Sequence, residues 1–260
     1  MGAVDAWDPA RYRRFEAERN QPFFDLLSLV RPVPGGEVVD LGCGDGRLTA
    51  VLHEHTGAAR TIGIDSSPRM LEEARARVTN GLSFEQGDIA TFDAAADVLF
   101  ANASLHWIGD HETLLTRLAS CLRPGGQLAV QLPRNADHAS HLVVGEVAAE
   151  APFAEAMDGA PPPDPVLGVL APEAYAELLY SLGFTEQHVR LQVYGHVLDS
   201  SAEVVEWMRG TSLTRIRSRL PEGLFDKFVA RYRSRLLERI GERAPYFFAF
   251  KRVLFWARLA

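Results

Sequence analysis

The stretch "EVVDLGCGDGRLTAVLHEH", residues 37–55, constrains the fold of this chain more than any other. A short apolar run, Glu37 to Leu41, reads as a strand and passes straight into glycines at 42, 44 and 46. A helical pattern follows without a spacer. Glycine permits the tight turn such a junction needs and lets a ligand approach the backbone. The next strand candidate, "TIGID", ends on Asp65. An acidic residue about 20 positions beyond a glycine loop is placed to bind ribose hydroxyls. The loop spacing is GxGxG, not the GxGxxG of dinucleotide sites, and Asp40 precedes it. A pyrophosphate has no use for a carboxylate there, whereas a ligand carrying an ammonium or sulfonium group does.

The rest of the chain extends this unit. "LSFEQGD", "ADVLFAN" and "QLAVQLP" read as three more strands. "SSPRMLEEARARV" and "HETLLTRLASCL" read as helices between strands, the first opened by serine and proline, the second stopped by "RPGG". Strands therefore alternate with helices from residue 37 to about 133, a pattern that predicts a parallel sheet covered on both faces. Residues 9–31 look helical, with Asp8 as cap and Pro9 in the first turn, and residues 134–150 look helical again. "APPPDPVLGVLAP" lacks periodicity and is a connecting loop or a lid. Then come a helix, "PEAYAELLYSLGF", a strand, "VRLQVYGHVL", a mostly helical stretch over 200–243 with Pro221 starting its last helix, and a closing strand, "YFFAFKRVLFWARL". The fold expected is α/β: a Rossmann-like, doubly wound seven-stranded sheet, mostly parallel with an antiparallel last strand. Residues 1–260 make one domain, with a cofactor-binding core over 32–133 and a helical cap on the substrate side from 1–31 and about 134–243.

Composition narrows the function. A net charge of -7 argues against a nucleic-acid backbone as partner. Two cysteines, Cys43 and Cys121, give no metal-site spacing, and no metal is expected. The N-terminus has no apolar signal region, Ala6 replaces the residue a myristoylation signal needs, and no apolar run nears ~18 residues. The expectation is a cytoplasmic protein with no membrane partner, monomeric or weakly dimeric.

"FANASLHWIGDH", residues 100–111, is the second stretch that carries chemistry. An apolar strand ends abruptly at Asn102, and Ser104, His106 and Trp107 follow at once. His106 can be a base, a hydrogen-bond donor to a ligand or a packed histidine, and Trp107 can wall a ligand or fill the core.

The loop "DLGCGDG" at 40–46, with Asp65 and "GDI" at 87–89, resembles the class I S-adenosylmethionine-dependent methyltransferases. That resemblance implies that the backbone of Gly42, Cys43 and Gly44, with Asp40, Asn102 and Ala103, holds the methionine part of S-adenosyl-L-methionine. It implies that Asp65, beside Ser66, holds the ribose and that Asp88 and Ile89 hold the adenine edge. Met70 is an adenine wall or a core residue. S-adenosyl-L-homocysteine would be the product. "WDPARYRRFEAERNQP", "GIDSSPRML", "AVQLPRN" and "FFAFKRVLFWAR" extend the likeness, over essentially the full chain, to the trans-aconitate 2-methyltransferase family. That implies methylation of one carboxylate of a small polycarboxylic acid. The chain departs from the family pattern at Asp45, at "TSLTR" (211–215), where an arginine is displaced by one position, and at Lys251-Arg252.

A carboxylate acceptor is ionised at neutral pH, with a reference pKa of about 4, so no general base is required. The acceptor's remote carboxylates keep their charge and call for cations, with arginine preferred for its bidentate geometry. Arg19, near Tyr12, Phe15 and Phe23, is one candidate. Arg134, after the fifth strand, and Arg252, an odd charge inside an apolar strand, are others; Arg215 and Lys251 are weaker. His106 and Trp107 would orient the acceptor. His141, His196 and Trp207 read as structural, and "RYRSRLLERIGER" as a solvated face.

Overall fold

The computed structural model describes residues 16–260, with side chains from Asn20 onward. The helical reading of residues 9–15, with Asp8 and Pro9, lies outside the described residues. Helix α1 spans Glu16–Leu27 and contains Pro22. It stops four residues short of the expected end. Ser28 N still bonds Phe24 O, but beyond it only tighter bonds, Leu29 N to Leu26 O and Val30 N to Leu27 O, continue the turn, and prolines at 32 and 34 exclude further helix.

The alternation then unfolds as β1 (Glu37–Leu41), α2 (Arg47–Thr56), β2 (Arg60–Asp65), α3 (Pro68–Ala74), β3 (Leu82–Gln86), β4 (Ala96–Asn102), α4 (His111–Ser120) and β5 (Leu122–Pro133). Later come α5 (Ala139–Ala148), α6 (Phe153–Ala156), α7 (Pro172–Ser181), β6 (Phe184–Leu198), α8 (Glu203–Arg209), α9 (Thr214–Arg217), α10 (Glu222–Ile240) and β7 (Tyr246–Leu259). The expected helix over 134–150 is shorter because residues 134–138 turn first, and the His138 side chain then caps α5 by accepting from Ser140 N.

All seven strands form one sheet in the order β3-β2-β1-β4-β5-β7-β6. β1, β2, β3, β4 and β5 run parallel, and β7 runs antiparallel to β5. The chain winds outward from β1 to β3, then returns to place β4 against the other side of β1. Such a reversal opens a crevice at the carboxyl ends of the two central strands. "RPGG" lies inside β5 rather than before it: Ala96 pairs with Leu122 but Val98 with Gln127, so the excursion is a bulge within the strand.

The chain divides into two compact units. One comprises residues 19–134, 168–192 and 251–260 and holds the strand core, with Leu41, Leu99, Leu128, Tyr175 and Phe255 at its centre. Its polar groups at the amino ends of the strands are paired. Arg123 bridges Glu37 at 2.5 Å and Asp97 at 2.8 Å, and Asp97 also accepts from Glu37 N. The hydrogen bond from Arg123 holds the Glu37 carboxyl below its ordinary range. The other unit, over described residues 135–167 and 193–250, is helical. There α5 packs on α10 around Trp207, Met208, Phe228 and Phe248, and Tyr232 Oη donates to Ser140 O.

Gln127 ties the sheet to the segment after α1. Its buried Oε1 accepts from Arg31 N and from Trp256 Nε1, both at 2.8 Å, and its Nε2 donates to Arg31 O. Gln127→Ala leaves these groups unpartnered, and an orphaned buried polar group costs about 1–3 kcal/mol. Urea unfolding of this variant is expected to show a loss of about 2–3 kcal/mol.

Candidate active site

The site is built at the carboxyl ends of β1, β2 and β4. Asp40 is 3% exposed and comes off β1 toward helix α2, where Thr49 Oγ1 donates to its Oδ2 at 2.6 Å. Its Oδ1 has no hydrogen-bond partner among the described residues. Buried polar groups are nearly always paired, so an orphaned carboxylate oxygen at the switch point is a place for a ligand's donor or cation. Burial pushes the Asp40 carboxyl up to about 7, against the Thr49 bond, and the nearby charge of Asp65 pushes the same way.

The loop after β1 turns at Gly42, whose φ is 88°. A side chain there would collide with Ser104, its Cβ lying 2.3 Å from the Ser104 Cβ and 3.5 Å from Ile89. Glycine is therefore required both by conformation and by the close approach of the β4 loop. Ser104 Oγ returns a short hydrogen bond to Leu41 O. Gly42 N and Cys43 N both donate to Ile64 O, which lays the loop across the end of β2. Gly44, at φ 58°, faces open space where a Cβ would stand. Its N–H donates to Asp65 Oδ2 at 2.9 Å.

Asp65 Oδ1 accepts from Ser67 N. Each carboxylate oxygen thus makes one bond and keeps a second lone pair for hydroxyl groups. Ser67, not Asp65, caps α3 by accepting from Met70 N; Ser66 is exposed and Met70 half-buried. Asp88 is exposed and caps the single turn at Ile89–Thr91 through Ala90 N. Burial pushes the Cys43 thiol well up, which suits a packed residue and not a nucleophile.

A second polar group crosses three strands. Arg252 Nη1 donates to Gln131 Oε1 at 3.0 Å, and Gln131 Nε2 donates to Asn102 Oδ1 at 2.7 Å. Ala103, the next residue, has φ 55°, a left-handed conformation that costs a non-glycine residue about 1–2 kcal/mol. Its N–H is fixed to Gln131 O. His106 is buried, in a turn at Leu105–Trp107, with its ring 4.9 Å from that of Trp107, which is 52% exposed. Arg134 is half-buried and directs Nε to Leu170 O at 3.2 Å. Tyr12 and the side chain of Arg19 lie outside the described residues.

The structure thus joins Asp40, the glycine turn, Asp65 and Ile89 into one cluster, and Asn102 with Arg252 into another. Sequence reading missed Thr49 and Gln131, and it named Ser104 without its role in closing the glycine turn. Gln131 had a signal: it is a polar residue inside the apolar run "LAVQLP". Among the described residues no group of His, Cys, Asp or Glu is arranged to hold a metal ion. Nor is any described helix long and apolar enough to cross a membrane.

A carboxylate with an oxygen left open beside a glycine turn, and a second acidic residue at the next strand end, stand at the switch point of this sheet, and comparison with known proteins shows the class to be a methyltransferase. A methyltransferase domain family matches residues 38–126, the segment from β1 into β5. Solved structures share the architecture. The YcgJ protein of Bacillus subtilis superposes with a TM-score of 0.57 at 13% identity, over 94% of this chain and 98% of that one. An S-adenosylmethionine-dependent methyltransferase from Mesorhizobium loti does so with a TM-score of 0.51 at 22% identity, over 92% and 97%. At such identities they show the fold alone. Sequence goes further: this chain is 42% identical to the trans-aconitate 2-methyltransferase of Deinococcus radiodurans over 96% of its own length and 97% of that protein's. It is 38% identical to the one of Acidovorax sp. strain JS42, over 98% of each. The chain belongs to the trans-aconitate 2-methyltransferase family.

Asp40 carries a stability signature. Its folded pKa of about 7 lies above the unfolded carboxylate value of about 4. The folded state therefore holds a proton that the unfolded state has lost between those values. Stability from this group is full below pH ~4 and is lost as pH rises through ~7. Between pH 8 and pH 5 the ligand-free protein is expected to gain on the order of 2–3 kcal/mol relative to Asp40→Asn. Denaturant unfolding of both proteins at the two pH values measures the difference.

Proposed function

We propose that this protein transfers a methyl group from S-adenosylmethionine to one carboxylate of trans-aconitate, giving a monomethyl ester. One observation carries the reading: the 42% identity to a trans-aconitate 2-methyltransferase runs from end to end, well beyond the cofactor core. The polar groups described above fit the cofactor. Asp40, with its unpartnered oxygen, would take a cationic group of the methionine part. Gly42, Cys43 and Gly44 would approach it through backbone, with Asn102 and Ala103 on the facing loop. Asp65, beside Ser66, would take the ribose hydroxyls. Asp88, Ile89 and Met70 would border the adenine. When bound, S-adenosylmethionine supplies an electrophilic methyl group on sulfonium sulfur.

The chain's remaining tasks are to orient and to exclude water. The acceptor carboxylate is already ionised, so no side chain needs to take a proton. Negative charge leaves that carboxylate as the ester bond forms, so a strong ion pair on it would favour the ground state and slow the step. The remote carboxylates are different, and Arg252 and Arg134 are the described cations for them, with Arg19 and Tyr12 as further candidates. His106 and Trp107 would border the acceptor. We place the reaction in the cytoplasm, with a small-molecule acceptor and a monomer or weak dimer as the acting form.

A phenol or alcohol acceptor is the second reading, and it needs a base; buried His106 at the end of β4 is the group it would use. Two measurements separate them. Incubation with methyl-labelled S-adenosylmethionine and trans-aconitate is expected to give a base-labile labelled ester. No transfer to any di- or tricarboxylate, with cofactor bound normally, overturns the proposal. His106→Gln is expected to lower kcat by less than about tenfold and leave it flat from pH 6 to 9, whereas loss of a general base costs about 10²–10⁴.

A further inference from the structure

The helical unit contains a pocket of about 260 Å³ that the methyl-transfer reading does not use. It lies along one side of α5, from His141 to Ala148, beside the proline-rich segment 161–167. Its polar lining is His141, Asp164 and Arg215. All three are largely withdrawn from solvent, their side chains 4%, 7% and 11% exposed.

Asp164 is the satisfied member. Its Oδ2 accepts from His141 Nδ1 at 2.8 Å and lies 3.5 Å from Arg215 Nη2, and its Oδ1 accepts from Val166 N. Burial pushes the Asp164 carboxyl up, but the His141 bond and the charges of His141 and Arg215 outweigh it and hold it below its ordinary value. Arg215 and His141 are left incomplete. Arg215 Nη1 donates to Pro162 O, yet among the described residues its Nε has no partner, and neither has His141 Nε2. Burial draws the Arg215 pKa down, and Asp164 restores only part of it. Unmet hydrogen-bonding capacity of this kind is costly unless something completes it.

What would complete it follows from the chemistry. Arg215 lacks an acceptor for a guanidinium N–H, and a carboxylate matches that fork geometry better than any neutral group. His141, whose Nδ1 is taken by Asp164, keeps Nε2 as a second polar contact. The remaining wall is carbon, from Leu142, Ala148 and Leu167. The volume sits just below the usual range for ligand pockets, about 300–1,000 Å³, which suits a small acid.

We propose that this pocket binds a carboxylate of a small organic acid, with Arg215 as its cation and the His141–Asp164 pair as its second contact. The inference stands on the pocket and does not require the methyl-transfer reading. The same chemistry serves two sources, the methyl acceptor itself or a separate non-reacting acid.

The test is calorimetric titration of the protein saturated with S-adenosylhomocysteine, using trans-aconitate and succinate as probes. Arg215→Met removes the cation. Because Arg215 also holds Pro162, a second variant leaves the charged groups untouched: Gly145→Leu. Gly145 lines the pocket within α5, and a Cβ there meets nothing within 4 Å. Leucine fills the space and favours helix over glycine. Both variants are expected to bind at least one of the acids tenfold or more weakly, with affinity for S-adenosylhomocysteine unchanged. If the trans-aconitate KM rises in parallel, the acceptor is the occupant. If only succinate affinity falls, a separate acid is. Wild-type affinity for both acids preserved in both variants, or no acid bound by the wild type, overturns the inference, whether or not methyl ester forms.

Discussion

One buried carboxylate organises the functional end of the sheet. Asp40 sits where β1 gives way to the glycine turn, with one oxygen held by Thr49 and the other unpartnered among the described residues. A charge so placed is expensive in a low-dielectric interior unless a partner meets it. The fold keeps it there by locking everything around it. Gly42 allows Ser104 to close over the turn, Ile64 accepts two N–H groups of the loop, and Asp65 secures the next. The cost appears as a proton that Asp40 retains up to about pH 7.

The two ends of the sheet show how unevenly polarity is managed. At the amino ends, Glu37 and Asp97 are paired by Arg123, with Arg60 on Glu37 as a second cation. At the carboxyl ends, one oxygen of an acidic residue is unpartnered among the described residues, an alanine is held in a left-handed conformation, and an arginine is buried on a glutamine relay. Stored strain and incomplete pairing mark the end where a ligand completes the structure. Signs divide along the sheet end, with the carboxylates of Asp40 and Asp65 at β1 and β2 and the Arg252 guanidinium on the β4–β5–β7 side.

Much of this was legible in the sequence because it rests on local rules. Strand–turn–helix alternation specified the parallel core of the sheet, and the apolar run "YFFAFKRVLFWARL" specified its closing strand, though not that strand's direction. Glycines 42 and 44 announced the turn because no other residue fits the first. What escaped were partners supplied by the fold. Thr49 looks like any helix residue until α2 brings its hydroxyl to Asp40. Gln131 gains meaning only when β4 and β7 flank it, and Asp164 only when its loop meets His141 and Arg215. The shortened α1 and the bulge at "RPGG" depended on local hydrogen bonding that apolar periodicity does not encode.

The central claim, that Asp40 ionises to receive a cationic cofactor, has a direct readout. Calorimetric titration with S-adenosylmethionine, in buffers of different ionisation enthalpy, counts protons exchanged on binding. Release of close to one proton at pH 6, falling toward none at pH 8 and absent in Asp40→Asn, is the predicted result. Binding with no proton release at pH 6, or the same release in Asp40→Asn, would contradict the account.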